Sequence, residues 1–67
     1  MKWTIMELAY SINQRADRWG KGFIHPSEIT QEHVIWFQTE WDQYNNIPLE
    51  REKLFERFYK IIENGLG

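Results

Sequence analysis

No cysteine occurs among the 67 residues. Neither a disulfide nor a thiolate metal site can brace the fold, so packing must do so. Proline occurs twice and glycine four times, and neither forms a repeat or a low-complexity run. No stretch approaches the ~20 consecutive apolar residues of a membrane span. The opening MKWTIMELAY is broken at Glu7 and does not read as a signal peptide. These absences lead to an expectation of one cytoplasmic domain over residues 1–67 with no membrane partner.

Lysine and arginine are missing from residues 23–47, which carry Glu28, Glu32, Glu40 and Asp42. The first 22 residues hold Lys2, Arg15, Arg18 and Lys21 against Glu7 and Asp17, and the last twenty balance. The net charge of −2 is too small to argue for nucleic acid or lipid by itself. Two readings of the uneven charge follow. The acidic middle of the chain lies against the basic end of the first helix, or it faces a basic partner.

Aromatic residues, by contrast, are plentiful: four Trp, four Phe and three Tyr. Each ring buries on the order of 150–250 Å², so a few rings replace much of an aliphatic core. Ordering costs about 1.5 kcal/mol per residue, which nearly cancels that burial in so short a chain. A net stability of roughly 3–10 kcal/mol is expected.

Three helices are legible. Thr4 and Glu7 form a T-x-x-E capping box, with Trp3 and Leu8 spaced as a hydrophobic staple. Ile5, Leu8, Ala9, Ile12, Ala16 and Trp19 recur on one helical face. Gly20 supplies the left-handed stop, which predicts a helix over 5–19. Gly20–Ser27 reads as a loop whose Phe23 and Ile24 plug one end of the core. Thr30 caps a second helix over 31–45, with Val34, Phe37, Trp41 and Tyr44 as its core stripe. Ile35 widens this stripe, and Trp36 falls outside it beside Glu40 and Gln43. Pro48 at the first helical position opens a third helix over 48–64. Its apolar face is Leu54, Phe55, Phe58, Ile61 and Ile62. The expected fold is all-α, a small three-helix bundle or orthogonal helical array.

Chemistry finds little foothold. His25, Glu28, Glu32 and His33 are the residues a metal would use, but their spacing matches no closed site. They read as surface residues at a helix start. Ser11 and Ser27 have no histidine in a nucleophilic pattern, and the GKG at 20–22 is not a phosphate loop. No catalytic residue, metal or cofactor is expected.

What remains is surplus ring surface, because eleven rings exceed what a core of this size comfortably hides. Trp36, Glu40, Gln43, Tyr10 and Tyr59 are the expected contact residues for a protein partner, the role of a non-enzymatic adaptor or inhibitor. Met6 joins them at the edge of the core faces. A homodimer would also relieve the small core. The alternative is a helix-turn-helix regulator reading DNA with the third helix through Arg51, Lys53, Arg57 and Lys60. Glu50, Glu52 and Glu56 on the same helix weigh against it, since duplex binding needs uncompensated cations.

Overall fold

The fold is seen in a computed structural model that describes residues 2–64. Helix α1 runs over Ile5–Trp19, α2 over Gln31–Gln43 and α3 over Pro48–Asn64. One turn of 3-10 helix, Pro26–Glu28, lies in the α1–α2 connection. No strand occurs among the described residues, and the three helices enclose one core.

Each helix begins where its cap chemistry requires. The Glu7 amide donates to Thr4 Oγ1 at 3.2 Å, and the Thr4 amide donates to Glu7 Oε1 at 3.1 Å, closing the box at α1. The same box opens α2, with histidine in the acidic residue's role. The His33 amide donates to Thr30 Oγ1 and the Thr30 amide to His33 Nδ1, at 3.3 and 3.0 Å. This arrangement needs an unprotonated Nδ1. It also turns the ring inward, so His33 is buried and stands edge-on to Phe58 rather than at the surface.

Helix ends follow from their orphan carbonyls. Gly20 sits at φ 71°, where a side chain would be strained, and its amide returns to the last turn of α1. Helix α2 stops at Gln43, two residues before the expected end. The Arg51 guanidinium donates twice to the Trp41 carbonyl, at 3.2 and 3.0 Å, and lies over the Trp41 ring. Those bonds satisfy a carbonyl that further helix would have used. Asn46, at φ 69°, then turns the chain into α3.

The core is built mainly from rings. Leu8, Ile12 and Ala16 of α1 meet Phe37 of α2 and Leu54, Phe55 and Phe58 of α3, all essentially without exposure. Trp3, ahead of α1, reaches beyond a staple and stands edge-on to Phe37, Trp41 and Phe55, at 5.3, 5.1 and 6.2 Å. Such edge-to-face pairs each add about 0.5–1.5 kcal/mol beyond area burial.

Two residues of α2 exchange their expected places. Ile35 is 59% exposed, whereas Trp36 packs against the core and stacks on Phe58, 6.4 Å away and 10° from parallel. Each residue advances a helix by about 100°. Counting from Phe37 at the centre of the buried face, Trp36 is one step round and Ile35 two. A long indole reaches back across one step, and an isoleucine cannot across two.

Candidate protein-binding face

The five expected contact residues do not form one surface. Tyr59 is 5% exposed, and its hydroxyl donates to the Gly22 carbonyl at 2.7 Å. Burial pushes its pKa above the usual tyrosine value, with the Glu63 and Glu28 charges adding to the effect. Tyr59 therefore belongs to the core, where it locks α3 to the α1–α2 loop. The sequence reading missed this because Tyr59 directly follows Phe58 and so falls one step off the strict stripe. Trp36 is half-buried against Phe58. Glu40 is half-buried too, paired with Arg57 at 3.2 Å. Gln43 is exposed at the end of α2, and Tyr10 is exposed on the outer face of α1.

The rings themselves are better hidden than their number suggested. Phe37, Phe55, Phe58 and Tyr59 are buried, and all four tryptophans and Tyr44 are partly covered. The exposed rings are Tyr10, at 64%, and Phe23, at 71%. They sit together, with Asn13, Gln14 and Asp17 alongside. Met6, at 66% exposure, lies one turn before Tyr10 on α1.

Local hydrogen bonding explains why Phe23 points out. Asn13 holds the loop from both sides, since its Nδ2 donates to the Ile24 carbonyl at 2.8 Å and its Oδ1 accepts the Ile24 amide at 2.7 Å. This clamp draws Ile24 inward to 5% exposure. In an extended segment neighbouring side chains point to opposite sides, so burying Ile24 turns Phe23 to solvent. Of the pair expected to plug the core, only Ile24 does so.

Three ion pairs form among the described residues, and α3 takes part in each of them. Arg15 of α1 grips Glu52 of α3 through two bonds, at 3.2 and 2.9 Å, while its guanidinium lies 3.7 Å over Phe55. Those Arg15 hydrogen bonds hold the Glu52 carboxyl below its ordinary pKa. The basic end of α1 thus meets α3 rather than the acidic α2, and α2 answers to α3 through Glu40–Arg57.

The cations set aside for DNA are committed in the same way. Arg51 is bound to the Trp41 carbonyl, Lys53 lies 3.8 Å from Glu50 and Arg57 pairs with Glu40. Of the four, only Lys60 makes no hydrogen bond or ion pair among the described residues. It flanks an open groove with Trp19, Lys21, Glu56 and Tyr59.

Three of the four residues considered for metal binding, His25, Glu28 and His33, accept hydrogen bonds from the backbone. His25 Nδ1 accepts the Ser27 amide, and Glu28 accepts the His25 amide at 2.8 Å. No group of three or more metal-ligating side chains converges among the described residues. No helix among them is long and apolar enough to cross a membrane.

The fold defines a class, the small all-α domain with three helices around an aromatic core. No family model, curated protein or solved structure matches the chain.

Proposed function

We propose that this domain is a small non-enzymatic binding or regulatory module of the cytoplasm, of the adaptor or inhibitor kind, acting through protein–protein contact. The observation that carries this reading is the exposed pair Tyr10 and Phe23, the latter turned outward next to the Asn13–Ile24 clamp. Two rings about two-thirds exposed, with Met6 one turn away, leave roughly 400 Å² of apolar surface, the size of the largest patch on a typical monomer, which is often a functional one. Because the clamp fixes the backbone beside Phe23, less loop ordering is needed on contact. Trp36, Glu40 and Tyr59 drop out of the contact, since their surfaces are already used inside the chain. Helix-turn-helix DNA binding is disfavoured, because Arg51 and Arg57 are engaged within the chain and Lys53 has Glu50 beside it.

A photo-crosslinking phenylalanine analogue at position 23, in cells, tests this reading. Protein adducts at 23, with none from the same group at exposed Leu49, are the expected result. Absence of adducts at 23 ends the proposal. A mobility shift with duplex DNA that fades steeply between low and moderate salt would restore the DNA-binding alternative.

A further inference from the structure

We infer that the partner on this face is a second copy of the chain, paired antiparallel along α1; the inference rests on the Tyr10–Phe23 face being the contact surface. Three features of the face suit a two-fold pairing.

The first is charge. Glu7 and Arg18 are eleven residues apart in the sequence, about three full helical turns, so they lie on the same edge of α1. A two-fold axis across the middle of the helix brings Glu7 of each copy beside the partner subunit's Arg18, and it does so twice. Arg18 makes no hydrogen bond or ion pair among the described residues. Glu7 spends only Oε1 on its helix cap. At a net charge of −2 per chain, repulsion between copies is small.

The second feature is the placement of apolar groups. Phe23 folds back beside the stretch of α1 from Tyr10 to Asp17, past the middle of the helix, while Met6 lies one turn nearer its N-terminus. Antiparallel pairing turns Met6 of one copy toward the partner subunit's Phe23, and Tyr10 toward the centre. A parallel pairing would set Phe23 against Phe23 and leave Met6 with no ring.

The third is area. Roughly 400 Å² of apolar surface from each copy, with the polar rim added, approaches the ~1,200 Å² at the lower end of specific interfaces. A weak dimer is the consequence, since so small an interface lies at the transient end of the range. Such a pairing extends a core that one short chain keeps small.

Sedimentation equilibrium of the whole protein, from about 10 µM to about 1 mM, reads this directly. A monomer–dimer equilibrium is expected, weakened at least tenfold by Phe23→Glu or Tyr10→Glu and about threefold or more by Arg18→Glu. Circular dichroism should show Phe23→Glu and Tyr10→Glu melting like the parent, because these side chains are exposed, and Arg18→Glu melting slightly lower, because Arg18 lies in the last turn of α1 and its charge favours the Glu52 carboxylate. A protein that stays monomeric at the highest concentration overturns the inference. So does a dimer indifferent to Phe23→Glu and Tyr10→Glu, which would be made by another face. The adducts at position 23 separate this failure from failure of the binding reading. Adducts with a different protein remove the second copy alone, whereas no adduct removes both.

Discussion

Single side chains here carry more than their position in the sequence suggests. Trp3 precedes the first helix, yet it touches three rings of the core. Its indole N–H is buried without a hydrogen-bond partner among the described residues, a desolvation cost of about 1–3 kcal/mol. Phenylalanine would keep most of the ring and remove the orphan donor. Urea denaturation should therefore show Trp3→Phe within about 1.5 kcal/mol of the parent, and Trp3→Ala destabilised by about 3 kcal/mol or more. Tyr59 answers to pH. Its folded pKa is raised, so its contribution to stability is complete below pH 10, the ordinary tyrosine value, and is lost as pH climbs through the higher folded value. Unfolding midpoints followed from pH 8 to 12 should decline on the alkaline side. In Tyr59→Phe that decline should shrink, with a loss of about 1 kcal/mol at neutral pH from the missing bond to Gly22.

At the scale of elements, the connection between α1 and α2 is the most instructive piece. It contains two glycines and a proline, the composition of a slack loop, yet three hydrogen bonds from α1 and α3 side chains hold it. Asn13 supplies two and Tyr59 the third. Asn13→Ala leaves the Ile24 amide and carbonyl without those partners and should destabilise the fold by about 1–3 kcal/mol. Amide exchange at Ile24 should accelerate more than at Leu8 or Phe58, since the loop opens before the core does. If Ile24 exchanges no faster in the variant, the clamp is not what orders the loop.

For the whole molecule, α3 is the element that the other two share. It receives Arg15 from α1 through Glu52 and gives Arg57 to Glu40 of α2. The Arg15–Glu52 pair is partly solvated, and so its worth is small. The depressed Glu52 pKa adds stability above its unfolded value of about 4.5, lost as pH falls through the lower folded value. Denaturation midpoints at pH 7 and pH 3 should therefore differ less in Glu52→Gln than in the parent. At pH 7 the substitution should cost less than about 1 kcal/mol, the scale of a surface pair.

The helices, their caps and most of their buried faces were legible in the sequence, because local chemistry sets them. Thr4–Glu7, Thr30, Gly20 and Pro48 act over three or four residues, and the stripe of α1 is a matter of spacing. Tertiary structure decided which rings stayed outside. Trp36 looked free because it lies one step off the stripe, and only the position of α3 shows that its indole reaches Phe58. Tyr59 looked free until the loop brought the Gly22 carbonyl to its hydroxyl. Phe23 looked buried until Asn13, eleven residues before Ile24, pulled that neighbour inward. Spacing along one helix fixes directions around its own axis. Which of those directions meets protein and which meets water depends on where the other helices and the loop come to rest.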